Sequence, residues 1–165
     1  MKRLAPLLSL WLLLLTLGGC GFHLRGELKL AASLDPVFIT GLAPGDPLYA
    51  DLRRGLADAG IHITGDPNAA RSWLKIDENR FQQNVLSVDA RGKVVEYELV
   101  RTLAFSVLDR QRRVLVAPDR LVLRRSFVNP ETTVLGKRSE LDRLREAMRR
   151  ELVRRLLERL QAVGR

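Results

Sequence analysis

Apolar residues follow three different rhythms along this chain. From Leu4 to Leu17 they are almost continuous, with Leu7, Leu8, Leu10, Leu12 to Leu15 and Leu17 carrying the run behind Lys2 and Arg3. A helix of that length rises about 21 Å at ~1.5 Å per residue, short of a ~30 Å hydrocarbon core. The pattern predicts a cleaved export signal over 1–19 rather than a lasting membrane span. Between Val85 and Phe127 the apolar positions recur every second residue, the period of half-buried strands. Leu141, Leu144, Met148, Leu152, Leu156 and Leu160 then recur every three or four, the period of a helix with one covered face.

Within this frame the individual elements can be placed. Val37 to Thr40 is a short β-type run stopped by Gly41. Asp46-Pro47 supplies an N-cap and a first-turn proline, Leu48, Leu52 and Leu56 share one helical face, and Gly60 ends the helix. Ile61 to Thr64 is a short strand or an extended connection, and Trp73 to Asp77 a strand. Val85 to Val88 leads into the turn Asp89-Ala90-Arg91-Gly92-Lys93, with glycine where a positive φ is needed. Val95, Tyr97, Leu99, Leu103, Phe105 and Val107 then line one face, opposite Glu96, Glu98, Thr102 and Ser106. Arg101 interrupts the apolar face, which places it near the sheet margin. A second turn spans Asp109 to Arg113, followed by Val114 to Val116, and after Pro118 by Leu121, Leu123 and Phe127 up to the break at Asn129-Pro130. Ser139 is the expected N-cap of the last helix, with Asp142 in a box-like position.

The order β-α-β-β-β-α predicts an α+β fold: two helices on one face of a four-stranded, mostly antiparallel sheet. One domain over 36–165 follows, preceded by a tether over 20–35.

The charge changes the picture. The 165 residues carry a formal net charge of +9, with a pI near 10.7. Such a chain is drawn to an anionic partner. The export signal argues against nucleic acid and leaves lipid phosphates as the nearest candidates. Arg91 and Lys93 lie in the first turn, Arg110, Arg112 and Arg113 in the second, and Lys137 and Arg138 just ahead of the last helix. Arginine forks and lysine point charges suit phosphate and carboxylate groups, although strand tips are commonly basic for solvation alone.

Enzyme chemistry has little to stand on. His23 and His62 have no H-x-x-x-H partner, and Cys20 is the single cysteine. No nucleophile elbow, dinucleotide fingerprint or phosphate loop is present. Glu96 and Glu98 share a strand face, as a solvated edge would also require. No cofactor is implied.

Leu17-Gly18-Gly19-Cys20 resembles the bacterial lipobox, in which the cysteine receives a diacylglycerol and the chain is cut before it. A free or buried thiol is the alternative for Cys20. Gly21 in place of aspartate implies, by the lipoprotein sorting rule, the outer membrane.

Several separated stretches then agree with one family. Cys20-Gly21-Phe22-His23-Leu24-Arg25-Gly26 resembles the mature start of the LptE (RlpB) lipopolysaccharide-assembly lipoproteins. So do Val85-Leu86-Ser87-Val88-Asp89 with Gly92 and Glu96-Tyr97, Arg125-Ser126-Phe127 with Asn129-Pro130, and Val134-Leu135-Gly136-Lys137 with Glu140, Leu144 and Met148. The resemblance implies a non-enzymatic outer-membrane lipoprotein, lipidated at Cys20, that plugs the LptD β-barrel, helps assemble it and binds lipopolysaccharide on its way to the cell surface. It places the lipopolysaccharide contacts on Arg91 and Lys137, with Lys93 and Arg138 added as charged neighbours. An adaptor or scaffold lipoprotein of a different outer-membrane complex is the competing expectation.

Overall fold

The computed structural model describes residues 32–129 and 134–163. The expected export signal, Cys20, nearly all of the tether and the Pro130 break lie outside them.

A short 3-10 turn, Ala32–Leu34, leads into strand β1 (Val37–Thr40). Helix α1 (Pro47–Asp58) follows, then β2 (Ser72–Val88), β3 (Val94–Asp109), β4 (Val114–Val128) and helix α2 (Val134–Val163). The sheet order is β1-β2-β3-β4. β1 pairs parallel to the first residues of β2, and the other two pairings are antiparallel. The sheet is therefore mixed, mostly antiparallel, as the element order predicts.

Helix α1 begins as the sequence requires: Asp46 Oδ1 accepts the Leu48 N–H at 2.7 Å, and Pro47 opens the first turn. Leu48, Leu52 and Leu56 are fully buried. Gly41, at φ +85°, ends β1 where a Cβ would lie 2.0 Å from the Ile76 carbonyl oxygen, so no other residue fits there. The core lies between the sheet and both helices. Leu74, Leu99, Leu103, Phe105, Leu121, Leu123 and Phe127 face Met148, Leu152, Leu156 and Leu160 across it.

Three expectations are corrected. The strand foreseen at Trp73 to Asp77 and the run at Val85 to Val88 are one continuous 17-residue strand. A register shift between Ile76 and Glu78 breaks the period-2 pattern, and hydrogen bonding to β3 carries the strand through the polar stretch between. Helix α2 starts at Val134, so Ser139 lies inside it and is not its cap. Asp142 accepts from Arg145 Nη1 at 3.1 Å instead of closing a capping box. Lys137 and Arg138, expected in a loop, belong to the first turns of α2.

Arg101 is the third correction. It stands on the central strand β3, between Phe81 of β2 and Leu123 of β4, and not near the margin. Its Nη2 donates to Asn79 Oδ1 at 2.8 Å, and Asn79 Nδ2 donates to Asp46 Oδ2 at 3.1 Å. Burial, and then the nearby Arg149, lower its pKa, while Asp46 and Asp51 oppose that shift. Asp51, itself buried, accepts from Arg149 of α2 and from Arg54. One set of bonds ties the cap of α1 to the sheet through Asn79, and the other ties α1 to the middle of α2 through Asp51. Arg101 Nε is buried without a hydrogen-bond partner, and the charges of Asp46 and Asp51 offset part of the cost of burying the guanidinium.

Candidate functional site

The antiparallel register sorts the basic residues to two ends of the sheet. The 89–93 turn joins β2 to β3, and the 109–113 turn joins β3 to β4. β3 has 16 residues, so at ~3.3 Å each the two turns stand about 50 Å apart. The end holding residues 89–93 is called distal here, and the other proximal.

At the distal end, Asp89 organises the turn. Its Oδ1 accepts the backbone N–H groups of Arg91 and Lys93, both at 2.9 Å. Its Oδ2 accepts Arg91 Nε at 3.1 Å and lies 3.0 Å from Nη2. The Lys93 N–H bond, followed by those from Arg91, holds the carboxyl below the usual aspartate value. Gly92, at φ +78°, occupies the left-handed position that a three-residue hairpin loop requires. Arg91 and Lys93 are both exposed.

The same end receives the start of α2. β4 ends at Val128 beside Glu96, and the Asn129 N–H donates to the Val95 carbonyl at 2.8 Å. Asn129 Nδ2 donates to the Val94 carbonyl at 2.6 Å, fixing the chain beside the turn before α2 begins. The turn bearing Arg91 and Lys93 and the helix start bearing Lys137 and Arg138 thus share one end of the molecule. The Arg138 side chain is exposed, and that of Lys137 lies outside the described residues. The first turn of α2 contains no acidic residue. Cations there oppose the helix dipole by about 0.3–1 kcal/mol, so helix stability does not account for them.

Exposed apolar side chains accompany the cations at this end. Val85, Leu86, Val88 and Val128 are 57, 54, 55 and 65% exposed near the basic tip, Val85 on the helix-facing side opposite Tyr97, and Val88 and Val128 on the other side opposite Val94 and Glu96. Their run marks a strand in the sequence, but only the packing reveals that they are more than half exposed. The distal end pairs cations with exposed apolar surface, as recognition of an anionic amphiphile would require.

The sheet face away from the helices is polar. Glu78 pairs with Arg120 at 2.7 Å, Glu98 with Arg124 at 3.0 Å and Lys75 with Asp77 at 2.6 Å. Glu98 is thereby an ion-pair partner on a solvated strand face. His62 lies against Asp35, with Nδ1 3.1 Å from Oδ2. Among the described residues, no group of three His, Cys, Asp or Glu side chains could hold a metal ion, and no helix is long and apolar enough to cross a membrane.

The family model described as LptE, lipopolysaccharide-assembly, matches residues 34–160. The chain is 31% identical over 156 residues to the LPS-assembly lipoprotein LptE of Photorhabdus laumondii, covering 94% of this chain and 85% of that one. It is 29% identical to the Yersinia enterocolitica protein of the same name, covering 99% and 78%. Among solved structures it is similar to lipoprotein B from Nitrosomonas europaea, at 26% identity and a TM-score of 0.72, covering 86% of this chain and 91% of that one. The rare lipoprotein B from Shewanella oneidensis shares the fold, at a TM-score of 0.67 with 22% identity, covering 78% and 95%. With the mixed sheet under two helices and a family match across nearly all of the described residues, this chain belongs to the LptE family of lipopolysaccharide-assembly lipoproteins.

Proposed function

We propose that this protein is a non-enzymatic lipoprotein of the outer membrane that plugs the lumen of the LptD β-barrel, helps it assemble and contacts lipopolysaccharide during delivery to the cell surface. In this reading the signal over 1–19 is removed and Cys20 carries the lipid. Residues 20–35 tether the single domain over 36–165. Arg91 and Lys137 bind the phosphate and carboxylate groups of lipopolysaccharide, flanked by Lys93 and Arg138.

The observation that carries the reading is the shared distal end. Two basic segments more than thirty residues apart in the sequence meet there, beside the exposed Val85, Leu86, Val88 and Val128. Lipopolysaccharide is an anionic amphiphile, and a tip that is cationic and apolar together suits it. The ion-paired sheet face supports the plug, because the interior of a large outer-membrane barrel is polar and wet.

Affinity purification of the tagged, full-length protein from its native envelope tests the partner. Recovery of LptD in near-equal amount is expected; recovery of a different barrel in its place would make the chain an adaptor of another complex. Reversing charge in an Arg91→Glu/Lys137→Glu variant should weaken lipopolysaccharide binding more than about tenfold, with little change in melting temperature. Unchanged binding would return both side chains to a solvating role.

A further inference from the structure

The proximal end, about 50 Å from the distal tip by the length of β3, holds a second basic site. A cleft of about 490 Å³ opens there between the residues preceding β1 and the 109–113 turn. Arg71, Arg110 and Arg113 line it, with Asp109 on one side and Pro36 and Leu115 as apolar wall. The Arg71 N–H donates to the Pro36 carbonyl at 2.8 Å, which fixes Arg71 at the rim.

Asp109 does not neutralise the cleft. Its Oδ1 accepts the Arg113 N–H at 2.8 Å and its Oδ2 accepts Arg113 Nε at 2.6 Å, so it is satisfied within its own turn. Arg71 and Arg110 are exposed, and neither makes an ion pair among the described residues. The turn also contains the single non-glycine residue with a positive φ among the described residues, Arg112 at φ 64°. The matching position of the other turn is Gly92. Arg112 stacks 3.7 Å above the Trp73 ring, a cation–π contact that uses its side chain outside the lining of the cleft.

We propose that this cleft binds the phosphate of an anionic phospholipid headgroup, in the leaflet that holds the lipid anchor. The distance between the two ends keeps a headgroup held at the distal tip from reaching the cleft. The described chain begins at Ala32, next to the cleft, about a dozen residues after Cys20, or at most ~40 Å of extended chain. The apolar wall of Pro36 and Leu115 suits the glycerol side of a phospholipid better than it suits a free ion. The placement at the anchor's leaflet rests on the lipidation of Cys20 proposed above; the phosphate chemistry of the cleft does not.

The test uses the full, membrane-extracted protein returned to phosphatidylcholine vesicles, with and without phosphatidylglycerol, and read by hydrogen exchange. Phosphatidylglycerol should slow exchange in segments 69–71 and 109–113 at least about threefold. An Arg71→Glu/Arg110→Glu variant should lose that protection, and the milder Arg71→Gln/Arg110→Gln should lose most of it. The Arg91→Glu/Lys137→Glu variant should keep it while losing lipopolysaccharide binding, which separates this site from the distal one. Equal protection from inorganic phosphate on phosphatidylcholine vesicles would overturn the lipid as the source. Protection that survives in both Arg71/Arg110 variants would overturn the site. Flotation on phosphatidylcholine alone reports the anchor, and a chain that does not float would overturn the placement.

Discussion

The two hairpin turns are built on one plan. In each, an aspartate accepts the backbone N–H four residues on, its own N–H donates to that residue's carbonyl, and its carbonyl accepts the N–H three residues on. They differ at the left-handed position, which is Gly92 in the distal turn and Arg112 in the proximal one. The left-handed conformation costs a residue with a Cβ roughly 1–2 kcal/mol. Stacking on Trp73 returns about 0.5–1 kcal/mol, and avoiding glycine's extra freedom in the unfolded chain returns about 0.5–1 more. The two choices come out nearly equal in stability, so what distinguishes the turns is the charge each presents. The distal turn presents its cations next to α2 and exposed apolar side chains on both sheet faces; the proximal turn presents its cations next to a cleft.

This comparison can be broken in stages. The largest effect should come from the core that holds the two ends apart. Leu156→Asp would bury a charge where Leu156 is fully covered, costing several kcal/mol by the desolvation penalty of an unpaired carboxylate. Loss of the cooperative thermal transition is the expected readout, and a parent-like melt would mean that α2 is not a core helix. Next in size is the turn position itself. Gly92→Ala should destabilise by about 1 kcal/mol, because only the conformational penalty acts where a new Cβ meets nothing within 4 Å. Arg112→Gly should stay within roughly 0.5 kcal/mol of the parent, since its gains and losses cancel. Denaturant midpoints for the two variants check both expectations.

The smallest effect is a shared response to acid. Burial pushes the Asp109 carboxyl up, but the Arg113 backbone and guanidinium bonds more than offset it, and Asp89 is lowered by the Lys93 and Arg91 bonds. A carboxyl held below its unfolded value stabilises the fold above that value and loses its contribution as pH falls through the lowered one. Both turns should therefore weaken only on acidification below the ordinary carboxylate range. Asp89→Asn and Asp109→Asn should each flatten the acid limb of a melting temperature against pH curve. Glu151 of α2, drawn down to about 2 by hydrogen bonds from Arg154 and Arg155, gives that limb a component outside the turns.

Much of this molecule could be read before its structure. The cap Asp46-Pro47, the stripe Leu48, Leu52 and Leu56, and the alternation Val95 to Val107 each state an element through local rules, because capping, helical period and strand period act within a few residues. The middle of β2, between Asp77 and Val85, is not legible. Asn79 and Gln83 stand on the covered face with Phe81, and Arg80, Gln82 and Asn84 on the other, so no apolar alternation remains to report the strand. Partner strand β3 supplies the hydrogen bonds that the pattern could not announce. The place of Arg101 is not legible in the sequence for a related reason. Its tolerance in the middle of the sheet depends on Asn79 and Asp46, residues remote in sequence that only the fold brings near.

The candidate sites divide in the same way. The sequence by itself determined which cations exist, which turn residues hold them and to which family the chain is similar, since residue types and spacings survive without coordinates. It did not determine that residues 89–93 and the start of α2 share one end, nor that Arg71 and Arg110 share a cleft at the other. Those neighbourhoods arise from strand register and from the direction in which α2 returns along the sheet. Both are set by contacts between residues far apart in the chain, which only tertiary packing selects.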